Sequence, residues 1–492
     1  MMENILTNII FLPLFIAVIL GIFRADTKYL KIGAMFSSVA TLFLVLLVTY
    51  NFDPNAGMQF SKTSPWIQNA GIRYFVGVDA LSLVILLLIS LLMPPLYIYM
   101  YHEKRKGYWY NMMLLQTGVT GAVLSLDLIL FYLFWETMLL PIFVMIGKYG
   151  NTLHRYNSMK IVLMTILGSM SMLFSILYIG YIYFETHGVW SFSLSELASI
   201  DFNAQTSIWL ASGFLLAFAI KIPLVGFHTW MAPAYGSAPT PAVVIMSSIM
   251  AKLGIYGIWR FGYGLFDNTL SYYAPTIITL ALIGLLYYAI RAITELHLRR
   301  MFAYSSGSHL SLIALGLFLG NIYAWSGSLY FIATHALASA GMFIVIGLTY
   351  KRFNTVYLDS LGGIASKAPK FSFFFAFFAL SIAGLPGTGG FVAELLIIIG
   401  AFKVNFYIGV ATATTMLSAM VYIFWMLQRA LFGTANNDCE YEDLSFREMI
   451  MLLPLVVMLI AMGVMPSLFM QIFDPFLVSS LEEFILRGGG VK

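Results

Sequence analysis

The sequence predicts an all-α polytopic membrane protein with about 14 transmembrane helices. Hydrophobic residues make up 60% of its 492 residues and charged residues only 10%, whereas soluble globular domains average about 45–50% and 25%. The apolar residues form runs of about 20, the length that an α-helix needs to cross a bilayer. Soluble, disordered and nucleic-acid-binding proteins are therefore excluded as classes.

The predicted spans follow one another along almost the whole chain, with bounds accurate to a few residues. The division between the fourth and fifth spans is the least marked, because little more than Asp127 separates them. The spans are Ile5–Phe23, Tyr29–Tyr50, Asp79–Tyr101, Tyr110–Ser125, Leu128–Lys148, Met159–Phe184, Ser207–Trp230, Pro241–Phe266, Ala274–Thr294, Met301–Gly320, Ala324–Tyr350, Phe371–Phe402, Phe406–Phe432 and Ile450–Phe473.

Lysine and arginine collect on one side of the predicted membrane. Loops that follow odd-numbered spans hold 17 of the 26 cations, and the opposite loops hold five. Cytoplasmic loops are enriched in these residues, so both termini are predicted to lie on the outer, periplasmic side. The 17 cations are Arg24, Lys28, Lys31, Lys104, Arg105, Lys106, Lys148, Arg155, Lys160, Arg299, Arg300, Lys351, Arg352, Lys367, Lys370, Arg429 and Arg447.

Several ionisable side chains lie alone inside predicted spans. An ionised side chain at the bilayer centre costs about 2.5–3.5 kcal/mol by insertion scales, so it usually faces a partner or a wet cavity. Burial disfavours the charged form of both lysine and glutamate, which favours proton exchange between them. The set therefore predicts a proton pathway, although each member alone fits a structural ion pair or a snorkelling chain. Its members are Glu136, Lys221, Lys252, His309, His335 and Glu394.

Two prolines interrupt predicted spans near these groups. Pro223 follows Lys221 in the seventh span, and Pro386 precedes Glu394 in the twelfth. Proline removes a helical hydrogen bond, and broken helices in two halves of a chain indicate an ion pathway in inverted-repeat transporters. Ordinary kinked helices explain the same pattern, so the prolines alone leave the repeat open.

The sequence shows no motif for redox or hydrolytic chemistry. It has one cysteine, no dinucleotide-binding glycine fingerprint and no phosphate loop. We therefore expect no cofactor and no metal in this chain, and energy supplied by a gradient or by partner subunits. Asp79 opens the third span, where it suits the positive end of the helix dipole, and Arg299 and Arg300 are expected to anchor a helix end.

Six stretches together resemble the antiporter-like membrane subunits of respiratory complex I. They occur in the family's order, the likeness covers about residues 77–432, and the combination is highly specific. The stretches are LDLILFYLFWETMLLPIFVMIG (Leu126–Gly147), AFAIKIPLVGFHTW (Ala217–Trp230), APT with MAKLGIYGIWRF (Ala238–Phe261), RRMFAYSSGSHLSL (Arg299–Leu312), THALASAGMF (Thr334–Phe343) and LPGTGGFVAELLIIIG (Leu385–Gly400).

The resemblance implies a domain plan. Three N-terminal helices occupy residues 1–109, and the repeats, of helices 4–8 and 9–13, occupy 110–266 and 267–432. Residues 433–492 hold a cytoplasmic loop, helix 14 and a tail. The repeats are expected to be inverted, with helices 7 and 12 broken and Pro223 and Pro386 as their hinges.

The resemblance also assigns roles by matched position. Glu136 is expected to pair with Lys221, and Lys252 to connect them to a histidine relay. Glu394 is the expected terminal carboxylate, where sister subunits typically carry lysine. The relay is His309 and His335, and the groups expected to assist proton uptake are Lys160 and His228.

Two departures from the family pattern lie on the predicted cytoplasmic side. Many relatives read LPDAH where this chain has Met231–Tyr235, so an acidic and an imidazole group are missing. His297 stands where relatives usually have aspartate. These departures put the details of proton uptake in doubt and leave the central row of groups intact.

The function implied is proton translocation coupled to NADH oxidation and quinone reduction in partner subunits. NADH, FMN, iron–sulfur clusters and quinone are expected there, with antiporter-like subunits on both sides of this chain in a bacterial inner membrane. The alternatives are a subunit of a multi-subunit Na⁺/H⁺ antiporter, a membrane-bound hydrogenase subunit and, from a different class, a non-pumping scaffold.

Overall fold

The computed structural model of the protein describes residues 4–151, 153–434 and 441–486. We number its membrane helices α1 to α14 in chain order. The first six are α1 (Ile5–Ile22), α2 (Thr27–Tyr50), α3 (Ala80–Tyr99), α4 (Lys106–Leu124), α5 (Leu128–Tyr149) and α6 (His154–His187). The next five are α7a (Ala204–Lys221) with α7b (Met231–Ser237), α8 (Thr240–Phe266), α9 (Thr269–Thr294), α10 (Leu298–Phe318) and α11 (Ile322–Phe353). The last three are α12a (Pro369–Ile382) with α12b (Gly389–Val404), α13 (Phe406–Phe432) and α14 (Phe446–Val464).

The predicted all-α polytopic membrane fold is confirmed. Twelve described helices are long and apolar enough to cross a membrane, and α4 and the broken α12 complete the 14. Helix α4 can carry more polar residues than the other spans because other helices surround it. Its Gln116 is 1% exposed, donates to the Thr41 hydroxyl over 3.0 Å and accepts from the Tyr97 hydroxyl over 3.3 Å.

Loops that follow odd-numbered helices meet on one side of the bundle. Lys106 lies 3.6 Å from Asp26, which joins the loops after α1 and α3. Arg352 lies 2.7 Å from Glu448, which joins the loops after α11 and α13. We call this side the predicted cytoplasmic side, since the cations that predict it lie there. On the opposite side, Asp127 pairs with Ser193 in an isolated β-bridge. The alternation of sides agrees with one crossing per helix.

Helices α7 and α12 are both broken near the middle of the bundle, as expected. The backbone leaves helical geometry after Lys221 and resumes it at Met231, and likewise between Ile382 and Gly389. Four membrane helices, α8 to α11, lie between α7 and α12, so α7 and α12 run in opposite directions. This is the relation that an inverted repeat requires.

Three elements differ from the sequence-based expectation. Residues between α2 and α3 form an antiparallel hairpin of β1 (Gln59–Ile67) and β2 (Ile72–Val78). The fourteenth span was predicted to reach Phe473, but α14 ends at Val464, because Pro466 begins a separate short helix, Pro466–Met470. The predicted tail contains a further helix, α15 (Asp474–Leu486).

The core of the bundle consists of α8, α10 and α11. The most apolar 18-residue window of each is completely buried by other parts of the chain. A side chain on any face of these helices therefore meets protein and not lipid. This explains how they carry polar and ionisable residues within a membrane.

Candidate functional site

The first group of predicted site residues lies where α5 meets the end of α7a. Lys221 is the last residue of α7a and is 2% exposed, and its Nζ has no hydrogen-bond partner among the described residues. The ammonium lies 4.6 Å from the centre of the Trp135 indole ring. Glu136 interacts with it electrostatically, but the pair is not among the described ion pairs within 4.0 Å. The Glu136–Lys221 pairing therefore stays a prediction.

The break in α7 is stabilised by side chains that bind its free carbonyl groups. The Trp230 indole donates to the Ile220 carbonyl over 3.1 Å, and the Tyr288 hydroxyl donates to the Pro223 carbonyl. Pro223 has no amide hydrogen, so the helix cannot continue its normal ladder there. Irregular backbone at membrane depth requires protein partners of this kind.

Lys252 lies on α8 between two π-helical stretches, Met246–Met250 and Ile258–Tyr263. Its side chain is fully buried, and its ammonium donates to the Ser247 carbonyl. A π-helical turn widens the helix and leaves a carbonyl free for another donor. The Ser247 hydroxyl in turn accepts a 3.1 Å hydrogen bond from Ser339 on α11. The local irregularity of α8 thus places a lysine ammonium against the helix that carries His335.

His309, His335 and Glu394 form one buried cluster from α10, α11 and α12b. The two imidazole ring centres are 5.3 Å apart, and His309 Nε2 is 3.4 Å from Glu394 Oε1. All three side chains are at most 3% exposed, and Lys252 interacts electrostatically with both histidines. The structure therefore brings four predicted groups, including Lys252, into one buried cluster of ionisable side chains.

The break in α12 creates room for the Glu394 carboxylate. Gly384 and Gly387 have φ values of 81° and 91°, a left-handed conformation that favours glycine. A Cβ atom at Gly384 would lie 3.1 Å from Glu394 Oε2. The residues around Pro386 therefore allow the carboxylate to lie against the interrupted backbone.

Helices α7 and α8 pack closely beside Lys221 and Lys252. Gly254 on α8 lies against Ile222 and the carbonyl of Phe218 on α7, where a Cβ atom would be 3.0 Å from that oxygen. Lys221 and Lys252 are not joined by a hydrogen bond in the described part of the chain. The described residues form two clusters, Glu136–Lys221 and Lys252–His309–His335–Glu394, and a continuous row through both clusters stays a prediction.

The groups predicted for proton uptake lie near the α7 break. His228 Nε2 is 3.2 Å from the Tyr287 hydroxyl, and Lys160 interacts electrostatically with His228. Tyr235, at the end of the unusual Met231–Tyr235 stretch, is fully buried and packs edge-on to Trp230 and Phe343. An aromatic side chain thus fills this place in the stretch.

His297 lies in the loop before α10 and is partly buried. Burial, with smaller contributions from Arg299 and Arg300, lowers its pKa to about 4. Its ring packs edge-on to Tyr357 at 5.1 Å. His297 is therefore neutral at physiological pH.

Two buried arginines were not assigned a partner by the sequence. Arg260 forms a two-point ion pair with Asp79, the residue that caps α3, with Nη1 2.6 Å from Oδ2. Arg299 donates to the Ala238 carbonyl over 2.7 Å and to the Thr240 hydroxyl over 3.1 Å, so it stabilises the chain after α7b. Asp79 and Arg260 both stood at predicted span ends, but only the fold shows that they meet.

Comparisons with known proteins agree with this geometry. A model of the family described as NADH:quinone oxidoreductase/Mrp antiporter, TM, matches residues 125–421. NADH-quinone oxidoreductase subunit M of Rhodobacter capsulatus is 30% identical, and the match covers 98% of this chain and 97% of that one.

Two solved structures share the fold. A chain of respiratory complex I from Thermus thermophilus with bound NADH superimposes with a TM-score of 0.88 at 25% identity, over 100% of both chains. A chain of the Mrp complex from Dietzia sp. DQ12-45-1b gives a TM-score of 0.86 at 20% identity, over 97% of this chain and 99% of that one.

Proposed function

The chain belongs to the NADH:quinone oxidoreductase/Mrp antiporter family, and on that premise we propose that it is the proton-translocating subunit M of an NADH-quinone oxidoreductase. One observation supports the transport role above all. Lys252, His309, His335 and Glu394 come from four different helices and meet inside the helical bundle, away from solvent. Ionisable groups buried in a membrane are costly, and they usually mark ion or proton pathways.

The two clusters have separate tasks in the proposed mechanism. In the first cluster, Lys221 holds a proton that Glu136 stabilises when the two approach. Opposite charges 4 Å apart attract by about 4 kcal/mol at an effective dielectric of 20, and Glu136–Lys221 is not among the described ion pairs within 4.0 Å. Opening the pair removes this stabilisation, so the ammonium releases its proton toward the second cluster.

In the second cluster, the proton moves from Lys252 through the two histidines to Glu394. The 5.3 Å separation of the rings and the 3.4 Å approach of His309 to the carboxylate suit transfer over short steps. Both breaks contribute flexibility, with Pro223 and Pro386 as hinges. Lys160 and His228 assist uptake from the predicted cytoplasmic side.

The proposal places the redox chemistry in other subunits. NADH, FMN, iron–sulfur clusters and quinone belong to partners in this proposal, and conformational change in a neighbouring membrane subunit drives the Glu136–Lys221 step. Antiporter-like subunits lie on both sides of this chain in the inner membrane of a bacterium, with both termini on the periplasmic side. The domain plan stays as the family implies, with repeats at residues 110–266 and 267–432.

Replacing Lys252 tests the transport role. We expect Lys252→Ala to lower the protons pumped per electron in an assembled, purified complex reconstituted in liposomes, because the link between the clusters is lost. The matched control is Lys403→Ala. The Lys403 ammonium lies at the surface, 3.8 Å from the centre of the Tyr323 ring. Normal pumping by an assembled Lys252→Ala complex would remove Lys252 from the pathway.

The Mrp likeness supports a second candidate, a subunit of a multi-subunit Na⁺/H⁺ antiporter. At 20% identity that likeness concerns the fold alone, whereas the relative named subunit M is 30% identical over nearly its whole length. Copurification separates the two. Recovery with NADH-oxidising, iron–sulfur-bearing subunits supports the first proposal, and recovery with small membrane proteins alone supports the antiporter.

A further inference from the structure

We propose that Trp135 is a positioning residue for Lys221 and offers its ammonium a second partner beside Glu136. The ammonium lies 4.6 Å from the centre of the indole ring, within the distance of about 6 Å at which a cation is attracted by an aromatic face. Trp135 and Glu136 are neighbours in α5, so one short segment presents an aromatic face and a carboxylate to the same lysine. The inference rests on the proposed function and goes beyond it.

Neighbouring aromatic rings hold the Trp135 ring in place. The indole is 1% exposed, and its ring centre lies 5.5 Å from that of Phe131 and 5.8 Å from that of Phe218. Phe218 is in α7a, one turn before Lys221. Helix α7a therefore carries both Lys221 and a ring that packs against the indole. This packing fixes the orientation of the Trp135 ring.

The hydrogen-bond ladder of α5 is weakened beside these two residues. Met138, between Leu128–Thr137 and Leu139–Tyr149, keeps right-handed helical φ and ψ angles of −69° and −25°. Pro141 lacks the amide hydrogen that would bind the Thr137 carbonyl. We infer that a small bend at this weakened point moves Trp135 and Glu136 together relative to α7a.

This geometry gives Lys221 two positions. In one position the Lys221 ammonium pairs with the Glu136 carboxylate. In the other it is attracted more weakly by the Trp135 ring, and no carboxylate has to be desolvated. The indole therefore holds the ammonium in place after the pair opens and until its proton is released toward the second cluster. An aromatic face in this position contributes roughly 2- to 30-fold to the equilibrium between the two positions.

The experiment replaces the indole in the assembled complex. Trp135→Leu removes the aromatic face and keeps an apolar side chain, whereas Trp135→Phe keeps a smaller aromatic face. We expect protons pumped per electron to fall by about half or more in Trp135→Leu, with substantial rescue in Trp135→Phe. The matched controls are Trp325→Leu and Trp325→Phe, at a buried tryptophan that packs on Trp259 and Tyr263.

Each outcome decides the inference. Equal pumping in Trp135→Leu and Trp135→Phe would overturn it, and so would a matching loss in the Trp325 pair. If Trp135→Leu does not assemble, trifluorotryptophan introduced at position 135 weakens the aromatic face at almost constant shape, and unchanged pumping then refutes the proposal. Lys221→Met in the same assay separates the two levels, because normal pumping there contradicts the proposed function itself.

Discussion

Breaking the buried ion pair between Asp79 and Arg260 should destabilise the protein strongly. The side chains are 7% and 9% exposed, and two nitrogen atoms of the guanidinium meet both carboxylate oxygens. Asp79→Asn leaves the arginine buried without a counter-charge, which typically costs about 3–5 kcal/mol. The asparagine can still cap α3 through its side-chain oxygen. Most of the lost stability is therefore due to the missing negative charge, and little is due to the helix cap.

The assay is thermal inactivation of the purified complex at one pH and salt concentration. The matched control is Asp359→Asn, which breaks an exposed pair with Arg429 at 2.9 Å, where the side chains are 57% and 45% exposed. Exposed pairs contribute about 0–1 kcal/mol, so we expect only a small change there. Equal midpoints for Asp79→Asn and Asp359→Asn would refute the reasoning.

Three further predictions follow from single contacts. Gly384→Ala should lower proton pumping, because a side chain disfavours the φ of 81° and its Cβ would press on the Glu394 carboxylate. Proton flux in assembled complexes measures this effect. Trp230→Phe should lower the midpoint of thermal inactivation by removing the hydrogen bond to the Ile220 carbonyl, worth about 1 kcal/mol. His297, with a pKa of about 4 against about 6.5 unfolded, binds its proton mainly when unfolded, so stability falls as the pH is lowered from about 6.5 toward 4. His297→Gln should reduce the difference between midpoints measured at pH 7.5 and pH 5, and an unchanged difference would contradict this assignment.

Local sequence signals predicted most of the architecture. Apolar runs predicted the 14 spans because lipid demands long uninterrupted helices, and isolated charges marked the residues that now form the second cluster. Pro223 and Pro386 marked both breaks, because the missing amide hydrogen is a property of the residue itself. Pro466 carried the same signal for the end of α14, where the apolar run alone predicted a helix to Phe473.

Contacts between distant segments could not be predicted from the sequence. The meeting of Asp79 with Arg260 depends on how α3 packs against α8, and no local pattern encodes that distance. Trp135 resembles any packing aromatic residue until the ammonium of Lys221 is seen above its ring. The close packing of α8 on α7 at Gly254 likewise depends on distant segments, because this glycine contributes only its small size.

The most direct test of the central claim is the number of protons pumped per electron by an assembled complex that carries Glu394→Gln. Glutamine keeps the size of the side chain and cannot release a proton, and the carboxylate stands at the end of the buried relay, 3.4 Å from His309. We expect a lower proton yield, with NADH oxidation still measurable. An unchanged proton yield would contradict it.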